Sequence, residues 1–353
     1  MKKVLITTMI LALTLSALVG CSTTAPNASN GSASSSSSAP AAGGKQKYAI
    51  IVKNTGNPYN EKEMEGFKKG IDEIGGETIE KAPDQPTAEA QIQMINELIT
   101  QKVASIAIAA NDPDALQPAL KKAMAAGIKV LSLDSAVNPD SRMVHVNQAD
   151  PNAIGRIEIE TIAKMIGGKG EIAILSATSQ ATNQNAWIAV MKKTLEDPKY
   201  KDIKLDKVAY GDDLRDKSVS ETEALLQTYP NLKGIVAPST VAVAAAAKVI
   251  TDKGLKGKVQ LTGLGLPSEM ADYITSGVST AVHLWNPIDV GYLAAYTADA
   301  LVKGTITGKE GDKFKAGTLG DKTVITVGKG TEIMLGDPFE FNASNIDQWK
   351  KVY

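Results

Sequence analysis

The sequence predicts an α/β protein with two similar doubly wound parallel-sheet lobes. Short apolar runs, of the kind that form buried parallel strands, alternate with segments of helical spacing along most of the chain. Such alternation is typical of parallel sheets. In addition, residues 103–135 and 232–265 share one order, which is strand, polar loop, helix, glycine, lysine, strand and polar end. This weak duplication is consistent with two similar lobes, although any two βαβ units share much of it.

The strands are predicted where short apolar runs end in Gly, Pro, Asn, Asp or Ser, and they span 47–52, 78–80, 105–109, 128–133, 171–175, 205–210, 232–237 and 259–263. The helices are predicted from apolar residues three and four positions apart, and they span 60–74, 87–101, a segment opened by 111–114 and ended by 127, 185–195, 216–228 and an alanine-rich stretch up to 253. In the first helix, for example, Met64, Phe67 and Ile71 form one face, and two glycines stop it after Ile74.

The N-terminus is predicted to be a targeting segment. Two lysines precede an apolar run at 4–19 that is too short and wrongly flanked to span a membrane as a helix. The sequence at 18–21 then resembles the lipobox of bacterial lipoproteins, so we expect a signal peptide at 1–20 and a lipid on Cys21. A buried structural cysteine is the alternative. Because Cys21 is the only cysteine, no disulfide can form within the chain.

Residues 21–44 are rich in Ser, Ala, Gly, Asn and Thr and show no apolar periodicity, which predicts a disordered linker. With the lipid anchor, this linker would tether the protein to the extracytoplasmic face of a membrane, either periplasmic or at the cell surface.

Composition and motifs argue against several classes of protein. The net charge is −1, and acidic and basic residues are interspersed along the chain, which disfavours nucleic-acid binding. His145 and His283 have no Cys, His or carboxylate at metal-ligand spacing, so we expect no metal site. No nucleophile elbow, Walker loop or dinucleotide fingerprint is present, so we expect neither an enzyme nor a cofactor. Asp212 and Asp213 are adjacent and are interpreted as a solvated turn.

A polar cluster at 182–185 is the strongest candidate site. Thr182, Asn183, Gln184 and Asn185 lie where the strand 171–175 passes into a helix, and ligands of open α/β sheets bind at this end of the strands. Their side chains donate and accept hydrogen bonds without carrying charge. Capping a helix and filling a turn is the alternative for each of them. With Trp187 beside it, the cluster favours a small polyhydroxylated molecule.

Several local sequences carry a family resemblance: AANDPDAL, KVLSLDS, ATNQNAW, GLGLPSEM, LWNPID and FNASNID. Over residues 46–353 the chain resembles the substrate-binding proteins of ABC sugar importers in the ribose-binding, type I periplasmic group. The likeness is strongest to the rhamnose-binding and autoinducer-2-binding proteins. It implies two lobes, joined by three crossing segments near 146–150, near 285–289 and before 342, that close over a ligand. The implied lobes are 46–148 plus about 287–318, and 149–286 plus about 319–353.

The resemblance implies a ligand site made of loop-end residues from both lobes: Lys53, Tyr59, Asp134, Asn183, Gln184, Pro238, Thr240, Trp285 and Asn286. Two of these depart from the autoinducer-2 pattern, since Asn183 replaces an acid and Thr240 replaces an alanine. Without the resemblance, Lys53 is interpreted as a solvated lysine and Asp134 as a turn or cap residue. The rings of Trp187 and Trp285 either pack on the C–H face of a sugar or belong to the core.

The expected function is a lipid-anchored, monomeric binding protein that delivers a small sugar-like ligand to an ABC permease. Autoinducer-2 is favoured because Lys53 and Asp134 offer a donor and a charged acceptor for a compact molecule with neighbouring hydroxyls. Asn183 keeps the shape of the acid it replaces, so Asn183→Asp is expected to retain autoinducer-2 binding within about tenfold. Rhamnose or another monosaccharide is the alternative, with Trp285 as a stacking floor. Presentation of the ligand to a membrane sensor stays open, whereas a repressor would need a basic helix-turn-helix where the signal peptide stands.

Overall fold

The computed structural model describes residues 44–353, so the predicted signal peptide, Cys21 and almost all of the predicted linker lie outside the described residues. Strands and helices are numbered along the chain. The larger sheet has seven strands, in the spatial order β13 (Ile325–Val327), β14 (Gly330–Met334), β5 (Val144–Asn147), β4 (Lys129–Leu133), β3 (Ser105–Ile108), β1 (Lys47–Ile51) and β2 (Glu77–Lys81). All neighbours are parallel except β13, which is antiparallel to β14. We call this half of the molecule the first lobe.

The second lobe contains a four-stranded parallel sheet in the order β7 (Ile203–Tyr210), β6 (Gly170–Ser176), β8 (Leu232–Ala237) and β9 (Gln260–Gly263). A bridge between Leu264 and His283 joins its edge to β10 (Ala281–Leu284), which pairs with the antiparallel β15 (Phe339–Asn342). A separate two-stranded ribbon pairs β11 (Lys313–Lys315) with β12 (Asp321–Thr323). The predicted α/β class with parallel sheets is confirmed.

The described helices are α1 (Pro58–Glu73), α2 (Ala88–Thr100), α3 (Pro113–Ala125), α4 (Pro151–Met165), α5 (Thr182–Leu195), α6 (Arg215–Thr228), α7 (Thr240–Asp252), α8 (Pro267–Thr275), α9 (Pro287–Val302) and α10 (Ile346–Trp349). Each predicted strand and helix has a counterpart, but α5 begins at Thr182 rather than at residue 185, so the polar cluster forms its first turn. Within residues 44–353, no helix has the length and apolar character needed to cross a bilayer.

The first sheet is buried on both faces, which explains why its strands have continuous apolar sequences. In β1, Ala49 and Ile51 pack into a cluster with α2 and α3, whereas Ile50 and the following Val52 pack into the main core. Successive side chains of a strand point to opposite faces, so both sides of the first sheet are covered. Such a sheet leaves its strand ends as the places where polar side chains can converge.

Helices α1 and α9 pack in backbone contact beside this sheet. A Cβ atom built on Gly66 of α1 would lie 1.8 Å from the carbonyl oxygen of Ile288, and one on Gly291 of α9 would lie 1.8 Å from the carbonyl oxygen of Glu63. Only glycine permits so close an approach, because any Cβ there would overlap a backbone atom. The contact fixes the start of α9, and thereby the preceding Trp285, against α1.

The chain passes between the lobes three times: after β5, between β10 and α9, and between β14 and β15. The last passage lies before residue 342, where the resemblance implied a crossing, but it lies later than the lobe boundary expected near residue 319. Strand β14 pairs with β5 through Glu332 and Ile333, so the chain stays with the first sheet until Met334. The ladder hydrogen bonds of β14 hold this segment in the sheet between β13 and β5, a pairing that its short and partly polar sequence does not reveal.

Candidate functional site

A cavity opens between the lobes at the carboxyl ends of their parallel strands. Eight of the nine predicted ligand residues line it: Lys53, Tyr59, Asp134, Asn183, Gln184, Pro238, Thr240 and Trp285. The remaining lining residues are Asn57, Asn60, Trp187, Asp213, Ser239, Leu264 and Leu284. The strand-end rule therefore locates the cavity, and residues from both lobes meet there.

A buried ion pair forms the first-lobe side of the cavity. Lys53 follows β1 and Asp134 follows β4, and the Lys53 Nζ lies 2.9 Å from Oδ2 of Asp134. The two residues are only 6% and 4% exposed. Burial lowers the pKa of Lys53, but the attraction of Asp134 and Asp213 outweighs it and the net shift is upward. Lys53 is therefore held in its charged form.

The second oxygen of Asp134 accepts hydrogen bonds from both lobes. Its Oδ1 accepts from Nε2 of Gln148 at 3.2 Å and from Nδ2 of Asn183 at 3.0 Å. The Asp134 backbone is left-handed, with φ of +53°. Aspartate tolerates this conformation better than most residues because its short polar side chain can bond locally. The carboxylate is thus fixed where a ligand and both lobes can reach it.

The side-chain amide of Asn183 donates a hydrogen bond. The acid that it replaces in the autoinducer-2 pattern could only accept one when ionised. Its amide nitrogen donates to Asp134, while its Oδ1 accepts from the Ser135 hydroxyl at 3.2 Å and from its neighbour's backbone N–H. An ionised aspartate at this position would face Asp134 with two acceptors and no donor. The Asn183 amide therefore complements the Asp134 carboxylate as a hydrogen-bond donor, which the similar shapes of Asn and Asp did not indicate.

Asp213 contradicts the interpretation of residues 212–213 as a solvated turn. It is 7% exposed and lines the cavity, and its Oδ1 accepts a hydrogen bond from the Ser239 hydroxyl at 2.6 Å. Both Asp212 and Asp213 have left-handed backbones, with φ of +55° and +54°. This turn after β7 directs Asp213 into the cavity rather than toward solvent.

A third carboxyl group lies beside the ion pair. Glu63 of α1 is fully buried, and neither of its carboxyl oxygens has a hydrogen-bond partner among the described residues. Burial and the nearby Asp134 raise the pKa of Glu63 well above its ordinary value, and burial also raises the pKa of Asp213. Both shifts favour the protonated form.

Aromatic rings form part of the cavity wall. The indole N–H of Trp285 donates to the Tyr59 hydroxyl at 2.7 Å. The rings of Trp187 and Trp285 lie 5.8 Å apart, and all three rings are almost fully buried. Because the Trp285 N–H is already bonded, this residue offers the cavity its apolar surface. The two tryptophans pack into the core and also line the cavity, and their packing on the C–H face of a sugar stays a prediction.

Asn286 does not line this cavity. Its Oδ1 accepts from the backbone N–H of Ile288 at 3.0 Å and caps the start of α9. With Asp289, it lines a separate groove on the other side of Trp285. A single residue step along the connecting segment reverses the direction of the side chain, so Trp285 faces the cavity and Asn286 does not.

Several lining residues escaped the sequence argument. Asn57 and Ser239 cap the starts of α1 and α7, and Asn60 donates to the backbone and side-chain oxygens of Asn54 at 2.9 and 3.0 Å. Their signal lay in KNTGNPYN and APST, which are polar loops after predicted strands. The sequence argument used only Lys53 and Tyr59 from the first loop, and Pro238 and Thr240 from the second.

Further hydrogen bonds join the lobes around the cavity. Thr182 donates to the Ala136 carbonyl at 3.0 Å, Thr240 donates to Oδ1 of Asn57 at 3.3 Å, and Asn54 donates to the Asp213 carbonyl at 3.4 Å. The Oε1 atom of Gln184 is buried without a partner among the described residues, so it is an available acceptor in the wall. Residues 44–353 include no group of three His, Cys, Asp or Glu side chains that could hold a metal ion.

Comparison with known proteins identifies the family. Residues 48–306 match the periplasmic binding protein domain. The chain belongs to the periplasmic binding protein family. A family member from Clostridium phytofermentas, an ABC transporter solute binding protein with bound L-rhamnose, is 52% identical, with a TM-score of 0.86 over 88% of this chain and 99% of that one.

Two other proteins are less similar to this chain. The D-apiose import binding protein of Actinobacillus succinogenes is 24% identical over 263 residues, which cover 74% of this chain and 84% of that protein. LsrB from Clostridium saccharobutylicum, in complex with AI-2 (autoinducer-2), is 23% identical, with a TM-score of 0.81 over 86% of this chain and 99% of that chain. The relatives are solute-binding proteins of ABC transporters rather than enzymes, and the likeness to LsrB shows the fold alone.

Proposed function

We propose that this protein is the sugar-binding component of an ABC importer and that it binds L-rhamnose or a closely similar deoxyhexose between its lobes. One observation carries the proposal: Asp134 of the first lobe is buried against Lys53 and accepts a hydrogen bond from Asn183 of the second lobe. A fixed charged acceptor at the junction of two lobes is suited to a neutral ligand with several hydroxyls. The 52% identity to a protein with bound L-rhamnose supports this choice of ligand.

Hydrogen bonding explains why such a cavity suits a sugar. A sugar entering it gives up water at every hydroxyl, and each hydroxyl left unmatched costs about 1–3 kcal/mol. Asp134 is a charged acceptor, whose hydrogen bonds are roughly twice as strong as those between neutral groups. Gln184 adds an unpartnered buried oxygen from the other lobe. Because the partners come from both lobes, a ligand that contacts them all binds the closed form best and shifts the population toward it.

Autoinducer-2 is the second candidate, and the order favoured on sequence alone is reversed. The protein with bound L-rhamnose is 52% identical, whereas the protein in complex with AI-2 is 23% identical and supports only the fold. Lys53, Asp134, Gln184 and Pro238 keep autoinducer-2 in consideration, since they match that subgroup's pattern and line the cavity.

Location and partner follow from the family and the N-terminal sequence. Periplasmic binding proteins work outside the cytoplasm, and the lipobox-like sequence before Cys21 supports a lipid anchor on the membrane surface. The partner in this proposal is an ABC permease that recognises the closed form.

Calorimetric titration with L-rhamnose, autoinducer-2 and D-ribose under identical conditions tests the proposal. It uses residues 44–353, which form a compact unit with their own core. L-Rhamnose is expected to bind at least about tenfold, or 1.4 kcal/mol, more tightly than the other two. Tight binding of autoinducer-2 with no heat from L-rhamnose would contradict the proposed ligand. Lys53→Met should abolish the heat, and Lys121→Met, at an exposed ion pair with Asp140, is the matched control.

A further inference from the structure

Four apolar residues line the cavity and belong to the same buried core cluster, and we call them the apolar wall: Trp187, Leu264, Leu284 and Trp285. The tryptophan rings lie 5.8 Å apart, and Leu284 precedes Trp285 in the chain. Leu264 is joined to the same region by its bridge to His283, the residue before Leu284. The wall therefore includes two aliphatic side chains on neighbouring strands in addition to two rings.

The first lobe presents a different surface to the same cavity. Apart from the ring of Tyr59, its lining residues are polar: Lys53, Asn57, Asn60 and Asp134. A bound sugar therefore meets hydroxyl-matching groups from both lobes, including Asn183 and Gln184 of the second, and an apolar surface that belongs to the second lobe. The flat rings suit the C–H face of a pyranose. The two leucines offer no hydrogen-bond partner from their side chains, so they suit a substituent that needs none.

We propose that Leu264 and Leu284 receive the C6 methyl group of a 6-deoxyhexose and make the site selective against sugars that carry a hydroxyl on C6. This inference rests on the proposed function and names the part of the site that determines its specificity. L-Rhamnose differs from L-mannose only in lacking the C6 hydroxyl. Against the leucines that hydroxyl loses its water partners and gains none, which corresponds to about 10- to 100-fold weaker binding.

The backbone at both leucines is fixed, so the wall cannot easily rearrange to admit a hydroxyl. Leu264 N donates to the Ala237 carbonyl at 3.0 Å, and Gly265 N donates to the His283 carbonyl at 3.1 Å. Leu264 and Leu284 are 2% and 1% exposed. Substituting either leucine is therefore the direct way to change the preference at C6.

The test compares three sugars by calorimetry on residues 44–353: L-rhamnose, L-mannose and L-lyxose, which has the same ring hydroxyls and no C6. L-Mannose is expected to bind at least about tenfold more weakly than L-rhamnose. L-Lyxose is expected to bind at least about tenfold more weakly than L-rhamnose, because it lacks the methyl group. Equal binding of L-mannose and L-rhamnose would overturn the inference and leave the proposed function intact. Absence of L-rhamnose binding by folded protein would overturn both.

Variants then assign the selectivity to the wall. Leu264→Ala and Leu284→Ala should weaken L-rhamnose binding and reduce the L-rhamnose to L-mannose affinity ratio at least about threefold, because they remove apolar contact with the methyl group and leave room for a C6 hydroxyl. Leu261→Ala is the matched control, since Leu261 is a buried leucine of β9 that does not line the cavity, and the ratio should not change. Thermal unfolding confirms that each variant folds. A ratio unchanged in both wall variants would overturn the inference, and the three-sugar comparison on the unsubstituted protein stands even if a variant fails to fold.

Discussion

The side-chain amide of Asn183 donates a hydrogen bond to the carboxylate of Asp134 at 3.0 Å, and the two residues belong to different lobes. Asp134 also pairs with Lys53 at 2.9 Å, so the contact joins the second lobe to a buried ion pair of the first. Ser135 donates to the other end of the same amide. The carboxylate that we propose binds the ligand therefore also forms a hydrogen bond between the two lobes.

Removing the charge of Asp134 should abolish binding without unfolding the protein. Asparagine also tolerates the left-handed backbone at this position, with φ of +53°, so Asp134→Asn tests the charge with little added strain. Lys53 would lose its carboxylate partner, and the ligand would lose a charged acceptor. We expect at least about 100-fold weaker binding of L-rhamnose by calorimetry, or about 2.8 kcal/mol. Asp140→Asn, at an exposed ion pair, should bind normally, and normal binding by folded Asp134→Asn would refute the role.

Asn183→Asp should weaken ligand binding, in contrast to the tolerance expected from its shape. The substitution replaces the donor to Asp134 with a second carboxylate, and two adjacent carboxylates repel. We expect at least about tenfold weaker binding at pH 8. The loss should diminish as the pH falls, because protonation of either carboxyl restores a donor. The control is Asn185→Asp, because Asn185 is a partly buried neighbour whose amide donates to the Ser179 carbonyl rather than to Asp134. Normal binding by Asn183→Asp at every pH would contradict the proposed role of the contact.

Glu63 should make the protein less stable as the pH rises. Burial and Asp134 raise the pKa of Glu63 in the folded state, so the protonated form is favoured there. For an acid shifted upward, the contribution to stability is complete below the unfolded pKa of about 4.3 and is lost as the pH rises through the folded pKa. The melting temperature of Glu63→Gln relative to the unsubstituted protein should therefore be higher at pH 8 than at pH 4.

The matched control for this prediction is Glu65→Gln on the same helix, since Glu65 is exposed and paired with Lys62. Its relative melting temperature should not change with pH. Asp213 has a pKa shift of the same direction, so Glu63→Gln removes only part of the pH dependence. An identical pH profile for Glu63→Gln and the unsubstituted protein would show that Glu63 is not perturbed.

Cys21→Ser should prevent lipid attachment. The lipobox-like sequence at 18–21 predicts that the thiol of Cys21 carries the lipid, and serine has no thiol. In the native host, the variant should be released from the membrane fraction or accumulate as the uncleaved precursor. Metabolic labelling with a fatty acid measures the attachment, and Ser22→Ala is the control. Unchanged labelling of Cys21→Ser would disprove the anchor.

Strand ends were predictable from the sequence, and with them most of the cavity. The runs KYAIIV and KVLSL indicate buried strands, and Lys53 and Asp134 follow them. Parallel strands bring their carboxyl ends to one edge of a sheet, so the residues after them converge. The same reasoning placed Asn183 and Gln184 at the start of a helix after β6. The strands and helices follow from local periodicity, whereas the choice of Lys53 and Asp134 as ligand residues was implied by the family resemblance.

Asn286 and Asp213 show where local reasoning fails. Both are polar residues in loops beside predicted strands, but Asn286 caps a helix and Asp213 turns into the cavity. The difference lies in backbone angles set by neighbouring segments, such as the φ of +54° at Asp213. Glu63 is a similar case, since it sits among charged residues of an ordinary helix and is buried only because glycines let α9 pack against α1.

The sequence by itself determined the α/β class, the strands and helices up to β9 except β5 and α4, and the loops that supply the polar side chains. These features follow from hydrophobic periodicity and turn residues within short segments. Only the tertiary structure decided that β14 joins the first sheet, that Asn183 donates to Asp134, and that two leucines complete the cavity wall. Each of these depends on packing between segments far apart in the chain, where burial and hydrogen-bond partners are fixed by the neighbours that the fold supplies.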